Sequence, residues 1–116
     1  MKAGLRRGVA YIAQRVVNRA DISAIYDYDS GSYYQFSGEA SETAVNVYDY
    51  DRGCFIGGDL PSLYDYGEGS FVELKVNGQR IDGYDYESGS FYEATVSGKE
   101  VSVYDYGEGS FFNYSA

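Results

Sequence analysis

Two hydrophobic rhythms divide the chain. Near the start, Leu5, Val9, Ile12 and Val16 recur at i, i+4, i+7 and i+11, one stripe of an amphipathic helix that Ala13 and Ala20 widen. Arg7, Gln14, Arg15 and Asn18 fall elsewhere on the wheel, and Asp21 and Ser23 end the pattern. Gly4 and Gly8 weigh against a regular first turn. The pattern predicts a basic amphipathic helical segment over residues 1–23.

From residue 24 onward the period falls to two. Stretches such as VSVYDY (101–106) and IDGYDY (81–86) have strand length and composition. Each is followed by a turn and a returning run, such as FVELKV (71–76) or FYEATV (91–96). The turns belong to an internal repeat, which is the strongest signal in the chain. IYDYDSGSY fills 25–33, VYDYDRGCF 47–55, LYDYGEGSF 63–71, GYDYESGSF 83–91 and VYDYGEGSF 103–111. Asn77-Gly78 and Ser97-Gly98 turn the returning strands back. The equivalent turn lies around Gly57-Gly58-Asp59 with Pro61 in the second unit, and spreads over Ser37–Thr43 in the first.

Side chains alternate across a strand, so Tyr104 and Tyr106 share one face while Val103 and Asp105 share the other. A three-residue loop with a glycine bulge suits the x-x-Gly turn. With that loop, Val72, Leu74 and Val76 join the tyrosine face, which becomes core or pocket lining. The other face then carries the motif Asp and Phe together with Glu73, Lys75, Glu93 and Asn113. A two-residue loop shifts the pairing by one and swaps these partnerships.

The fold expected is mainly β: five tandem antiparallel hairpins, about ten strands, in a meander over residues 24–116. An open meander leaves two edges, and closure removes them. A shallow pseudo-symmetric barrel or ring follows, with the N-terminal helix plugging or covering its apolar face. Stacking into a solenoid is the other arrangement open to such repeats. On its five YDY-x-x-G copies, the region 24–116 resembles the β-flower family, shallow symmetric barrels of antiparallel hairpins. That resemblance implies a fold and brings no established activity with it. The spacing of the units is also similar to that of cell-wall-binding repeats, but those rely on Trp and this chain has none.

Composition narrows the function. A chain that is 18% aromatic is not a low-complexity disordered one. With no His, imidazole chemistry is excluded, and one Cys allows neither an internal disulfide nor a zinc site built on cysteines. The net charge is −9, unevenly placed: Lys2, Arg6, Arg7, Arg15 and Arg19 stand in an acid-free head, and all 18 acids follow it. The two parts attract each other. The acidic body argues against a nucleic-acid partner. The basic head allows contact with an anionic membrane, second to docking on its own domain.

Three groups carry candidate chemistry. Asp27, Asp49, Asp65, Asp85 and Asp105 form a carboxylate ring if the hairpins close, able either to bind a cation or to cap its own turns. Turn capping is the expected role, so no metal or cofactor site is assigned. The pairs Tyr26 and Tyr28, Tyr48 and Tyr50, Tyr64 and Tyr66, Tyr84 and Tyr86, and Tyr104 and Tyr106 are the candidate ligand-binding residues, lining an aromatic concavity. Cys54 stands where the other four repeats have Ser, which reads as a neutral swap in a turn; the alternative is a reactive thiol, since Arg52 is near enough to lower its pKa. No catalytic residues are assigned, because Ser32, Ser70, Ser90 and Ser110 repeat with no base to activate them. The expectation is a non-enzymatic, soluble, cytoplasmic binding module for a small molecule, glycan or peptide. A self-assembling structural protein is the alternative.

Overall fold

A computed structural model describes residues 1–116. One helix, α1 (Ala3–Val17), is followed by ten strands. These are β1 (Ala24–Asp27), β2 (Ser32–Ala40), β3 (Ala44–Asp49), β4 (Cys54–Asp59), β5 (Ser62–Asp65), β6 (Ser70–Asn77), β7 (Arg80–Asp85), β8 (Ser90–Ser97), β9 (Glu100–Asp105) and β10 (Ser110–Ser115). Every strand pairs antiparallel with its neighbour in sequence, and β1 pairs with β10 to close a barrel. The closing seam is short, with only Tyr26↔Ser115 and Asp27↔Tyr114 in register.

Closure follows from the repeat. Each motif turn is a four-residue loop, with Asp105 opposite Ser110 and Asp85 opposite Ser90 in two of the five. The Asp carbonyl accepts the N–H of the Gly four residues on, at 2.7–2.8 Å in all five turns. That glycine has φ between 66 and 70°, the left-handed conformation that glycine adopts without a Cβ penalty. The opposite ends turn more tightly: Asn77 pairs with Arg80, and Ser97 with Glu100, leaving two-residue loops. In the first unit β2 runs on to Ala40, and in the second β4 runs on to Asp59, so both turns are shorter than the sequence suggests.

The four-residue loop reverses the expected faces. It has the parity of a two-residue loop, so Tyr104 stands opposite Phe111, and Val103 opposite Phe112. The motif apolar residue and the motif Asp therefore point inward with Val72, Leu74 and their equivalents. The motif tyrosines point outward with Phe71, Glu73 and Lys75. The tyrosines do not line the core, and the surface that they cover is convex rather than concave.

α1 fills the lumen. Leu5, Val9, Ala10, Ile12, Ala13 and Val16 are buried together with Ile25, Phe36, Val47, Ile56, Leu63, Leu74, Ile81 and Val103 of the wall. Burial of each large aliphatic side chain contributes about 1.5–3 kcal/mol. The first-turn glycines have a packing reason: a Cβ on Gly4 would lie 2.5 Å from Arg52 Cδ, and one on Gly8 2.6 Å from Ile56 Cδ1. The far end of the helix is held by polar groups. Gln14 is fully buried and donates to the Gly98 carbonyl at 2.9 Å, and Asn18 donates to the same oxygen at 3.1 Å. Tyr11 stacks on Phe36 with ring centres 4.6 Å apart and donates its hydroxyl to the Ile22 carbonyl. The helix ends at Val17, six residues short of the boundary expected from sequence.

One repeat departs from the others inside. Where four units have Ile, Val or Leu before Tyr-Asp, the fourth has Gly83, and its cross-strand neighbour is Tyr92. A Cβ on Gly83 would lie 2.1 Å from Tyr92 Cζ, so the tyrosine ring occupies the missing side chain's space. The Tyr92 hydroxyl donates to the Glu73 carbonyl at 2.7 Å, and burial pushes its pKa up.

Candidate functional site

Two features recur five times at the motif-turn end of the barrel, one inside and one outside. Inside, Asp27, Asp49, Asp65, Asp85 and Asp105 are all at most 3% exposed. In each, Oδ1 accepts the backbone N–H two residues on, at 2.9–3.2 Å. This is the turn-capping role. The other oxygen of each carboxylate meets a different group. Asp27 accepts from Arg7 Nε at 2.9 Å. Arg52 bridges Asp49 at 2.7 Å and Asp65 at 2.9 Å. Asp105 receives Arg6 Nη1 at 3.0 Å and the Met1 amino group at 3.1 Å. Asp85 meets no cation and accepts from the Ser88 hydroxyl at 2.7 Å.

Four of the five carboxylates are thus paired with the chain's own cations. Arg6 also donates to the Met1 carbonyl, and its guanidinium lies 3.7 Å above the Phe112 ring. Arg7 lies 3.8 Å above Tyr34. Burial opposes the charge on Arg52, but its bonds to Asp65 and Asp49 outweigh that cost and raise its pKa. No three Cys, Asp or Glu side chains of the chain converge as a metal site. Arg52 does not activate the Cys54 thiol. Burial pushes its thiol pKa up, and Asp65 and Asp49 add to that effect against the opposite pull of Arg52. That direction disfavours the thiolate.

Outside, the candidate tyrosines gather into five triads of one geometry. Tyr26, Tyr48, Tyr64, Tyr84 and Tyr104 are half-buried at the centre of each. Their partners two residues on, Tyr28, Tyr50, Tyr66, Tyr86 and Tyr106, stand edge-on at 4.7–5.0 Å and are 53–65% exposed. A third ring comes from the returning strand: Tyr33, Phe55, Phe71, Phe91 or Phe111, at 4.7–4.9 Å and 46–70% exposed. Sequence reasoning placed these five rings on the face opposite the tyrosines. The parity of the turn is the signal that relocates them.

The triads link into a girdle. The N–H of Tyr66, Tyr86 and Tyr106 donates to the carbonyl of Phe55, Phe71 and Phe91 respectively, so the second to fifth triads abut in sequence, while the N–H of Tyr28 and Tyr50 donates to the Asn113 and Gln35 carbonyls. Shallow grooves open between them. One is lined by Glu73, Asp82, Phe91, Tyr92 and Tyr106, and another by Tyr33, Tyr34, Gln35, Tyr50 and Asp51. A separate cleft at the far end of the barrel holds Arg19, Asp21 and Glu42 and none of the motif tyrosines. No family model, curated protein or solved structure matches this chain.

Proposed function

We propose that the protein is a non-enzymatic binding module that holds its ligand, a small molecule, glycan or peptide, on the outer aromatic girdle. The observation that carries this reading is the exposure of ten aromatic rings in five triads of one geometry, on a barrel whose interior is already filled. A core-filling role accounts for the half-buried central tyrosines. It does not account for the outer two rings of each triad, which are exposed to water. Tyrosine offers such a ligand a stacking face and a hydroxyl together.

The test is a panel of glycans, peptides and small molecules probed with the full chain. A matched variant carries Tyr28, Tyr50, Tyr66, Tyr86 and Tyr106 all changed to Ser. The expected result is at least one ligand retained by the protein and released by the variant. A panel with no binder, or a binder indifferent to the substitutions, overturns the reading.

Self-association through the same rings is the second reading, and the run of abutting triads from the second hairpin to the fifth favours it. Assembly by strand addition is not part of it, because the closed barrel has no free edge. Light scattering across a concentration series separates the two: a 12.9 kDa species at all concentrations rules out the assembly.

A further inference from the structure

The motif turns carry an acid that neither the fold nor the girdle requires. Each has one carboxylate within two residues of its second tyrosine: Asp29, Asp51, Glu68, Glu87 and Glu108. Unlike the five motif aspartates, these stand on the rim, four of them exposed and Glu68 half-buried. The chain itself shows what such a rim receives. Lys2 reaches out of the lumen and sets its ammonium 2.9 Å from Glu68 and 3.8 Å from Glu87, bridging the third and fourth hairpins. Its pKa is raised, first by the hydrogen bond to Glu68.

The remaining three acids, Glu108, Asp29 and Asp51, form no ion pair. They belong to the fifth, first and second hairpins, which are neighbours because β1 pairs with β10 and β2 with β3. Beside Asp51 lies the groove walled by Tyr33 and Tyr50, with a volume of 600 Å³. Guanidinium groups already rest on rings at this end, since Arg6 and Arg7 stack on Phe112 and Tyr34 from within. At the opposite end Arg19 pairs with Glu42, and the cleft there holds none of the motif tyrosines.

We infer that the turn end of the barrel docks a basic peptide segment across the fifth, first and second hairpins. Arginine or lysine heads sit between Glu108, Asp29 and Asp51, and one of them stacks in the Tyr33–Tyr50 groove. This deepens the binding-module reading and rests on it. Charge complementarity selects the occupant: a carboxylate-bearing or phosphate-bearing chain would be repelled, and a neutral glycan would use the rings alone.

Calorimetry with a synthetic peptide of alternating Arg and Gly tests the inference, alongside a Glu–Gly peptide and a neutral oligosaccharide. One variant combines Asp29→Asn, Asp51→Asn and Glu108→Gln; a second carries Tyr50→Ser. All four positions are exposed, so both variants keep the barrel. The basic peptide is expected to bind the protein, to weaken about tenfold in the amide variant, and to weaken further as salt is added. Loss in Tyr50→Ser places the peptide in the groove, and unchanged binding there overturns that placement. If the amide variant binds the basic peptide as tightly as the parent, or if only the oligosaccharide or the acidic peptide binds, the inference falls and the binding-module reading stands. If no probe binds, both fall.

Discussion

The inner and outer faces of the barrel are written by the same nine-residue repeat, yet they treat it differently. On the outer wall the five triads are near copies, with ring separations agreeing to within 0.3 Å. In the lumen the five aspartates share one turn geometry and then diverge, with two cations on Asp105, a shared one on Asp49 and Asp65, and none on Asp85. The cause is geometric. A single helix has no fivefold symmetry, so its N-terminal end reaches only Asp27 and Asp105, through Arg7, Arg6 and Met1, and leaves the other three to Arg52 and Ser88 of the turns. Solvent imposes no such asymmetry, and the outer wall keeps the regularity of the sequence. Repetition therefore specifies scaffold, and unique residues such as Arg6, Arg7 and Arg52 decide what each copy of the scaffold contacts.

The sharpest way to break this contrast is to remove the helix. Deleting residues 1–20 strips the lumen of its apolar filling and leaves four aspartates short of a cation or beside an unsupported Arg52. The truncated chain should aggregate with no cooperative thermal transition by circular dichroism. A soluble chain of unchanged Tm would show that the barrel stands without its filling.

A smaller effect separates the aspartates from one another. Asp105→Asn retains the turn-capping oxygen but strands Arg6 and the Met1 amine, and should cost about 3–5 kcal/mol in urea denaturation. Asp85→Asn strands no cation and should cost about 1 kcal/mol, the value of its lost Ser88 bond. Equal costs at both positions would mean that the turn, rather than the helix, sets the energetic weight of the ring.

Alkaline pH tests the packed interior. Tyr114 is buried near Asp27, and burial first, then that charge, pushes its pKa up to about 12 against the opposite pull of Arg6 and Arg7. Its unfolded value is about 10. The native state therefore holds the proton longer, and the stabilisation is complete below about pH 10 and is lost between about 10 and about 12. Tyr114→Phe should flatten the fall in stability across that window, followed by fluorescence-detected unfolding.

The smallest stability effects belong to the outer wall. Tyr86→Ser or Tyr106→Ser should change the unfolding free energy by no more than about 0.5 kcal/mol each, since both rings are largely in water. A loss several times larger would make the girdle structural and remove the basis for assigning it to a ligand.

Much of the fold was legible because the repeat is so regular. Gly89 and Gly109 marked the motif turns, Asn77-Gly78 and Ser97-Gly98 marked the reverse ones, and the edge problem of a meander pointed to closure. What failed was parity. The x-x-Gly pattern fits a three-residue and a four-residue loop equally, and the bond that the Gly109 N–H donates to the Asp105 carbonyl, with Asp105 opposite Ser110, distinguishes them. That one residue moved every motif tyrosine from the core face to the outer wall. The aspartates were read correctly as turn caps, while their cations were not legible. The pairing of Arg6 with Asp105 joins residues 99 apart, and no local pattern encodes it. Gly4 and Gly8 read as helix weakeners, although against Arg52 and Ile56 their lack of a side chain is what admits the helix.

The closing seam has a consequence for how the molecule is made. Its two strands are the first and the last in the chain, joined by two residue pairs, so the ring cannot be sealed until synthesis has reached Ser115. The segment that occupies the interior emerges before any strand of the wall. Chain order thus matches assembly order: a template appears, the staves are laid against it one hairpin at a time, and the final strand locks in place what could not afterwards be threaded through a finished ring.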